Sequence, residues 1–222
     1  MNKEAYFTPG NIEAVSGEMV DRLAHLRERH RRQVFKASQA ALLVLDMQRY
    51  FLEPASHAYI PSAGAILPGI EGLVEAFISL KRSVILTRHV NTYADAGRMG
   101  DWWRDLIQED SPMSQVVDGL AKWGLQEVRK SQYDAFYGSP LEDLLRQAGT
   151  QQVLICGVMT HLCCETTARS AFMRGFEVFV LVDGMATYNR QFHEATLLNL
   201  AHGFAYPLQV SEIGALLAKE GI

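Results

Sequence analysis

Two adjacent cysteines, Cys163 and Cys164, stand in the stretch GVMTHLCCETTARSAF, where a helix is predicted to begin. A cysteine thiolate is a strong nucleophile, and a carboxylate and an ammonium group beside it are what thiol activation needs. Groups of both types follow apolar runs: Asp46 comes near the end of AALLVLDM, and Lys130 ends EVRK. These residue types together predict nucleophilic catalysis by one of the two cysteines.

Each of these residues also has a purely structural explanation. The carboxylate of Asp46 can cap a turn, Lys130 can be a solvated surface residue, and a cysteine often serves as a small core hydrophobe. The functional interpretation is stronger for the set, because ligands bind where the carboxyl ends of parallel strands meet at one edge of a sheet. We therefore expect Asp46, Lys130 and one cysteine to converge on a single crevice.

Helix geometry separates the two cysteines. At 100° per residue, Cys164 shares a face with Ala168, Ala171 and Phe172, a stripe predicted to pack on the sheet. Cys163 points about 100° away, toward a more polar space. Both cysteines lie in the predicted first turn, where free N–H groups and the helix dipole favour an anion. Cys163 is therefore the predicted nucleophile, with a thiol pKa below the ordinary value, and Cys164 is predicted to be a core residue.

The elements that must position these residues are short apolar runs alternating with helical patterns. Strands are predicted in AALLVLDM (40–47), SVILTRH (83–89), EVRK (127–130), QQVLICG (151–157), FEVFVLVDG (176–184) and AYPLQV (205–210). Helices are predicted in PGIEGLVEAFISLKR with Pro68 near its first turn, from Leu141 to Ala148, at 161–174 and at about 190–202. This alternation predicts an α/β fold of three layers, α/β/α, around a mostly parallel six-stranded sheet.

The chain of 222 residues, 48% of them hydrophobic, is predicted to form one domain, 1–222. A polar, helix-prone N-terminal arm, 1–39, carries a thin apolar stripe of Met19, Leu23 and Leu26 and precedes a catalytic core, 40–212. The segment 89–125 is the least regular part of the chain and is expected to border the site.

Charge and composition exclude several classes of partner. The 21 basic and 25 acidic residues are interspersed and give a net charge of -4, which argues against nucleic acid or an anionic membrane. The basic run RERHRRQVFK (27–36) is interpreted as a solvated helix face or a subunit-contact arm. Three clustered cysteines predict no disulfide framework and a cytoplasmic location. No apolar run approaches the ~18 residues of a membrane span.

Three segments in order, LLVLDMQRYF, EVRKSQYDAFYGSPL and CGVMTHLCCETTARSAF, resemble the signature segments of the isochorismatase-like cysteine hydrolase superfamily. That group includes nicotinamidases, N-carbamoylsarcosine and ureidoacrylate amidohydrolases, and isochorismatase. The resemblance covers about 40–212 and implies the Rossmann-like fold of these hydrolases. Because its members are commonly dimers or tetramers, it also implies a homo-oligomer acting on a small-molecule substrate.

The resemblance assigns roles to individual residues. It implies Asp46 as the catalytic aspartate, Lys130 as the catalytic lysine and Cys163 as the nucleophile. It also implies a cis peptide between Val158 and Met159, with the backbone N–H groups of Met159 and Cys163 forming an oxyanion hole. The predicted reaction is cleavage of a C–N bond in an amide, carbamoyl or ureido group through a thioester, with Asp46 as the acid and base.

Two other functions stay open at this point. DMQRYF is a segment that isochorismatases share, so a vinyl-ether hydrolase is the first alternative. A catalytically idle binding module on the same scaffold is the second, because a fold alone determines no activity. The presence of Cys163 favours the amidohydrolase, since isochorismatase itself lacks this nucleophile by the family pattern.

A metal site is not expected. Nicotinamidases of this superfamily carry an Asp-x-His…His metal site after the second strand, whereas the corresponding stretch, LTRHVNTYADAG, holds His89 alone. Zinc needs three or four protein ligands, so we predict no metal and no cofactor, and nicotinamide is a doubtful substrate. His89 is expected to be a hydrogen-bonding residue of the pocket or the scaffold. His161 is predicted to face either solvent or a neighbouring subunit.

Aromatic residues in or beside the motifs are candidates for the substrate pocket. For each of them, packing in the core is at least an equal alternative. The candidates are Phe51, Trp102 or Trp103, Tyr133 and Phe136.

Overall fold

The structure, a computed structural model, describes residues 2–219. Six strands form one sheet in the order β3-β2-β1-β4-β5-β6, and every neighbouring pair is parallel. The predicted six-stranded α/β fold is confirmed, with a sheet that is parallel throughout. The strands are β1 (Ala40–Leu45), β2 (Ser83–His89), β3 (Gln126–Lys130), β4 (Gln152–Val158), β5 (Glu177–Ala186) and β6 (Tyr206–Leu208).

Helices cover both faces of the sheet. The α-helices are α1 (Ile12–Arg22), α2 (Ala24–Arg29), α3 (Arg49–Leu52), α4 (Ala63–Ser79), α5 (Met99–Trp102), α6 (Asp118–Ala121), α7 (Leu141–Gln147), α8 (Glu165–Met173), α9 (Arg190–Gly203) and α10 (Val210–Ala218). Two short 3-10 turns, Ala37–Gln39 and Pro112–Ser114, and a π-helical turn, Thr160–Cys164, complete the helical elements. Helices α4 and α10 pack together on one face, and α8 and α9 pack together on the other, as right-handed crossovers require.

The central strands explain why the apolar runs of the sequence are continuous. All residues of β1 and of β4 are buried, because helices cover both sides of these two strands. Helix α8 buries Cys164, Ala168 and Ala171 completely, as its apolar stripe predicts. Phe172 departs from that stripe: its side chain is 49% exposed and packs edge-on against Phe204.

Two helices begin at residues other than those predicted, and four helices were not predicted. Helix α4 starts at Ala63, so Pro68 lies within it; the buried residues Ala63 and Ile66 stabilise the added turn despite the donor that proline lacks. The helix expected from 161 begins as the π-helical turn, and α8 starts at Glu165. The unpredicted helices are α3, α5, α6 and α10. The first turn of α10 carries a capping box in which Gln209 and Glu212 hydrogen-bond each other's backbone.

The N-terminal arm packs on its own chain. Met19, Leu23 and Leu26, the predicted apolar stripe, are all buried in the core. Within the basic run, Arg27 forms an ion pair with Glu212 of α10 at 2.5 Å. Because the chain itself covers this stripe, its burial does not require the predicted homo-oligomer. The homo-oligomer stays a prediction.

The first residues of the arm run across the loop that follows β5. The Glu4 N–H donates to the Tyr188 carbonyl at 2.8 Å, and the Tyr6 hydroxyl accepts from the Thr187 N–H at 3.0 Å. On the other side, the Phe7 N–H donates to the Ser62 hydroxyl. This segment therefore ties the loop after β5 to the start of α4. Within residues 2–219, no helix combines the length and the hydropathy needed to cross a membrane.

Candidate active site

The structure brings Asp46, Lys130 and Cys163 together at the carboxyl edge of the sheet. Lys130 Nζ lies 2.8 Å from Asp46 Oδ2 and 3.2 Å from Cys163 Sγ. The Asp46 carboxylate is also close enough to the Cys163 thiol that each shifts the pKa of the other. The side chains of Asp46 and Lys130 are fully buried, and Cys163 is 6% exposed. A carboxylate, an ammonium and a thiol thus share one site, as the strand ends predicted.

Sheet topology explains this convergence. The strand order reverses between β1 and β4, and in open parallel sheets ligands bind in the crevice at such a reversal. Asp46 follows β1 directly, and Cys163 lies in the π-helical turn that follows β4. Lys130 comes from β3, two strands from β1, and its long side chain spans that distance.

The Asp46 carboxylate is fixed from a second direction. The Thr87 hydroxyl on β2 donates to Asp46 Oδ1 at 2.6 Å, which leaves Oδ2 facing Lys130. Asp46 itself has a φ of 52°, a left-handed conformation that aspartate tolerates better than most residues. The local backbone and Thr87 therefore aim this carboxylate at the ammonium and the thiol.

His89 lies at the end of β2, opposite Lys130 in the strand register, and orients the ammonium group. Lys130 Nζ is 3.3 Å from His89 Nδ1 and 2.9 Å from the Gln132 carbonyl oxygen. His89 Nε2 lies 2.8 Å from Asn91 Oδ1, whose amide nitrogen donates to the Ser131 carbonyl. Since Asn91 Oδ1 is an acceptor, Nε2 carries the proton, and Nδ1 accepts from Lys130.

These contacts decide between the roles predicted for His89. Burial, reinforced by the Lys130 charge, lowers the pKa of His89 to about 4, so the imidazole is neutral near pH 7. Its Nδ1 lone pair faces an ammonium group, which does not fit a metal ligand. Within residues 2–219, no three His, Cys, Asp or Glu side chains are grouped so that they could hold a metal ion. His89 is a hydrogen-bonding residue that positions Lys130.

The protonation state of the site follows from its burial and its charges. Burial alone would raise the pKa of Asp46, but the charge of Lys130 and the hydrogen bonds to the carboxylate bring it below the ordinary value. Burial opposes a charged Lys130, yet Asp46 and Cys163 raise its pKa. Burial raises the pKa of Cys163 to about 12, and Asp46 adds to this while Lys130 opposes it. The resting site therefore holds a buried ion pair and a neutral thiol.

The predicted low thiol pKa is wrong. That prediction relied on the anion-favouring start of a helix, but Cys163 lies in a π-helical turn ahead of α8 and is almost completely buried. Loss of hydration and the adjacent Asp46 carboxylate both disfavour a thiolate, and together they exceed the effect of Lys130.

Alkylation of Cys163 tests this electrostatic result. The rate with iodoacetamide is expected to keep rising beyond pH 9, because a thiol with a pKa of about 12 has little thiolate at neutral pH. Mass spectrometry of the peptide that contains Cys163 measures the rate. The same peptide contains Cys164, so alkylation of Cys164 is measured separately in a Cys163→Ser variant. A rate midpoint well below ~8.5, the value of a free thiol, would contradict the expected neutral thiol.

Cys163 faces a small cavity whose wall includes five aromatic residues. The cavity has a volume of about 70 Å³, well below the ~300–1,000 Å³ of pockets for drug-sized ligands. Its size therefore favours a small substrate. The aromatic residues of the wall are Tyr50, Phe51, Trp103, Tyr133 and Tyr188.

The cavity contains some of the residues predicted to contact substrate and excludes others. Phe51, His89 and Tyr133 line it. Trp102 does not, since its side chain is 76% exposed. Trp103, the alternative, lines the wall and donates its Nε1–H to the Tyr133 hydroxyl at 2.7 Å. Helix α5 ends at Trp102 and the chain becomes extended at Trp103, which turns neighbouring side chains to different sides.

Phe136 belongs to the core rather than to the cavity. Its ring stacks on Phe176 with centroids 6.0 Å apart, and the Arg174 guanidinium lies 4.9 Å from its centroid. The side chain is 5% exposed and does not line the cavity. Phe136 follows Tyr133 by three residues but packs in the core, so the packing alternative for Phe136 is correct.

Several residues of the cavity were not found by sequence reasoning. Tyr50 is adjacent to Phe51 in the first motif, which is a signal that was available. The segment 89–125 borders the site as expected and supplies Met99, Asp105, Leu106 and Ile107, but no local pattern distinguishes these positions. His57, Leu162 and Tyr188 come from three further parts of the chain and converge only in the folded protein.

The turn after β4 presents Cys163 to the cavity. The Val158–Met159 peptide is cis, and Met159 and Cys163 both line the cavity. The Thr160 hydroxyl lies 2.9 Å from His193 Nδ1, and His193 Nε2 donates to the Val182 carbonyl. The turn is therefore anchored to α9 and β5 by buried hydrogen bonds.

His161 packs against its own chain. Its ring stacks on Phe192 with centroids 4.4 Å apart, and its Nδ1 lies 2.6 Å from the Thr187 hydroxyl. The sequence predicted that His161 faces either solvent or a neighbouring subunit. The residue is half-buried, so part of it faces solvent.

Gly157 is required where β4 passes β1 just before this turn. Its φ is 109°, and a Cβ atom at this position would lie 2.1 Å from the Leu45 carbonyl oxygen. Gly157→Ala is therefore expected to lower the free energy of unfolding by about 3 kcal/mol or more. Chemical denaturation measures the change.

Gly17→Ala is the matched control for that substitution. Gly17 lies within α1, and nothing lies within 4 Å of an added Cβ atom. This alanine is expected to raise stability by about 0.5–1 kcal/mol. Equal effects of the two substitutions would show that the close approach of Gly157 to Leu45 has no energetic importance.

Comparison with known proteins places this site in a family. The family model of the isochorismatase domain matches residues 40–212. The chain belongs to the isochorismatase family. The matched range coincides with the predicted catalytic core, and the predicted resemblance is confirmed. Members of this family are hydrolases, and this protein is an isochorismatase-family hydrolase.

Two curated relatives with different names are similar to most of this chain. Nicotinamidase 3 of Arabidopsis thaliana is 41% identical over 172 residues, which cover 75% of this chain and 83% of that protein. Enterobactin synthase component B of Escherichia coli (strain K12) is 32% identical over 170 residues, which cover 75% of this chain and 59% of that protein.

Solved structures agree with the fold. A cysteine hydrolase from Pseudomonas syringae pv. phaseolicola 1448A superposes with a TM-score of 0.80 at 26% identity, covering 83% of this chain and 95% of that one. The nicotinamidase from Staphylococcus aureus has a TM-score of 0.63 at 22% identity, covering 74% and 94%. The second comparison supports the fold alone.

Proposed function

We propose that this protein is a cysteine amidohydrolase that cleaves the C–N bond of a small amide, carbamoyl or ureido compound through a thioester on Cys163. The observation that carries the proposal is one buried ammonium, Lys130, in contact with both the Cys163 thiol and the Asp46 carboxylate beside a cavity. A nucleophile next to a general base, with a third group holding that base, is the arrangement that covalent catalysis needs.

In the first half-reaction, the Cys163 sulfur attacks the carbonyl carbon as Asp46 takes the thiol proton. The lowered pKa of Asp46 and the raised pKa of Cys163 mean that this transfer costs free energy in the empty site. It therefore accompanies attack on the substrate rather than preceding it. Lys130 stays protonated and holds Asp46 in place. The backbone N–H groups of Met159 and Cys163 are the proposed donors to the oxyanion.

The same carboxyl group then acts as the acid that completes the first half-reaction and as the base of the second. Asp46 gives its proton to the nitrogen as the C–N bond breaks, leaving an acyl thioester on Cys163. Asp46 then takes a proton from water, which attacks the thioester and releases the carboxylic acid. The proton returns to the Cys163 sulfur, and the site is restored.

The relatives add to the list of candidate substrates. The Arabidopsis relative is named a nicotinamidase, which makes a neutral heteroaromatic amide a substrate to test although this chain lacks the Asp-x-His sequence. Both other functions are less well supported. Neither a vinyl-ether hydrolase nor an idle binding module needs a thiol beside Lys130 and Asp46.

A substrate panel tests the proposal. Purified protein is incubated with nicotinamide, benzamide and small carbamoyl and ureido compounds, and ammonia release is measured. At least one of them is expected to release ammonia, with an acyl group on the peptide that contains Cys163 detected by mass spectrometry after acid quench. A vinyl ether releases no ammonia. Hydrolysis of isochorismate without ammonia release or an acylated cysteine would overturn the proposal.

A further inference from the structure

A second polar cluster lines the cavity and has no part in the proposed mechanism. His57 Nδ1 lies 3.2 Å from Asp105 Oδ2, and the Tyr50 hydroxyl lies 3.2 Å from His57 Nε2. The His57 and Asp105 side chains are 36% and 51% exposed, whereas Cys163 is almost fully buried. The cluster therefore lies on the solvent side of the cavity, and the thiol lies at its inner side.

The charges around the cavity are asymmetric. Asp105 and His57 are its titratable side chains on the solvent side, and in the described part of the chain no lysine or arginine lines the cavity. Two nearby cations have other partners. Lys3 donates to the His57 carbonyl and lies 4.4 Å from the centroid of the Tyr188 ring, and Arg104 is 76% exposed and 3.7 Å from Asp105.

This arrangement has a consequence for binding. A substrate carboxylate entering the cavity would lose hydration without gaining a positive partner, because the Lys130 ammonium is already paired with Asp46 and both ring nitrogens of His57 already have partners. Asp105 would also repel it, because the exposed Arg104 guanidinium compensates the Asp105 charge only partly. An uncharged N–H donor or a cationic group, in contrast, would meet an acceptor at Asp105. The aromatic side chains of Phe51, Trp103 and Tyr188 add flat apolar contact area for a ring.

We propose that the cavity selects flat, uncharged or cationic amides over amides that carry a carboxylate, with Asp105 and His57 as the residues that determine this selectivity. The inference rests on the proposed amidohydrolase function, since it concerns the substrate of the same site.

A pair of ligands with the same shape and different charge tests the selectivity. Terephthalamide and 4-carbamoylbenzoate differ only in that one amide is replaced by a carboxylate. Their binding to the full-length Cys163→Ala variant is measured by calorimetry, so no turnover is needed. The neutral diamide is expected to bind at least about 30-fold more tightly, in keeping with a like-charge contact at partly exposed sites.

Two further variants assign the effect to Asp105. In the Cys163→Ala background, Asp105→Asn is expected to reduce the ratio of the two affinities, diamide over carboxylate, roughly tenfold, because it removes the repelling charge. Asp101→Asn removes an equal charge from the exposed helix α5, outside the cavity, and is expected to leave the ratio unchanged. Equal affinity for the two ligands, no binding of the diamide, or equal effects of the two substitutions would overturn the inference.

Ammonia release by the wild-type protein separates this inference from the proposed function. A charge preference in binding without ammonia release from any amide would support the selective cavity and contradict the amidohydrolase. Ammonia release from both ligands at similar kcat/KM would support the amidohydrolase and contradict the selectivity.

Discussion

Cys163→Ala is expected to lower turnover by roughly 10⁴-fold or more, with a fold that is otherwise retained. The substitution removes the sulfur that lies 3.2 Å from Lys130 Nζ, and no other thiol can replace it: Cys156 and Cys164 are completely buried and are not among the residues lining the cavity. Ammonia release and the acylated peptide, measured together, check the result, since both are expected to disappear.

Cys164→Ala is the matched control. Cys164 is adjacent in sequence and fully buried, but its side chain packs in the core with Ala168 and Ala171. We expect near wild-type turnover and a loss of about 1 kcal/mol in the free energy of unfolding, because a small cavity replaces the sulfur. Wild-type turnover in Cys163→Ala, or loss of turnover only in Cys164→Ala, would show that the nucleophile is misassigned.

Asp46→Asn is expected to affect both turnover and stability. Turnover is expected to fall by about 10³-fold or more, because the acid and base of both half-reactions is lost. The free energy of unfolding is expected to fall by about 3–5 kcal/mol, because the buried Lys130 ammonium loses its carboxylate partner. Urea denaturation at pH 7 measures the second effect.

The double variant Asp46→Asn/Lys130→Met separates these two effects. Removal of both charges is expected to restore most of the stability, since no unpaired buried charge is left, but none of the activity. Asp101→Asn is the control on the surface. Asp101 and Arg98 are 72% and 91% exposed, so the loss of this ion pair should change stability little. A double variant as unstable as Asp46→Asn would contradict the electrostatic explanation.

The contribution of the buried pair also depends on pH. The pKa of Asp46 in the folded protein lies below its ordinary value of 3.8. Its ionised form therefore adds stability that is fully present above about pH 4 and is lost as the pH falls through the folded pKa. The stability difference between the wild-type protein and the double variant should shrink at acid pH.

The neutral resting thiol affects how reactivity is interpreted in this protein. A low thiol pKa would have identified an activated nucleophile, but burial raises the pKa of Cys163 to about 12. Slow alkylation at pH 7 is therefore compatible with catalysis, because Asp46 can take the proton as the bond to the substrate forms. Acylation by substrate, rather than the alkylation profile, distinguishes the enzyme from an idle binding module.

The amino-acid sequence by itself determined the architecture and the three central residues. Continuous apolar runs predict strands covered on both faces, as β1 and β4 are, and the end of each run indicates the edge where side chains converge. Asp46 and Lys130 lie close to strand ends, so local patterns were enough to find them. Helical periodicity assigned Cys164 to the core for the same reason, since it depends only on near neighbours in the chain.

Tertiary structure alone decided the properties that depend on distant residues. The raised pKa of Cys163 results from burial and from Asp46, 117 positions earlier in the chain. The His57–Asp105 cluster joins two loops that no periodic pattern relates. Trp103 lines the cavity and Trp102 does not, because α5 ends at Trp102. Hydration, charge and contact in this site are set by atoms brought together in space, and local spacing carries no information about them.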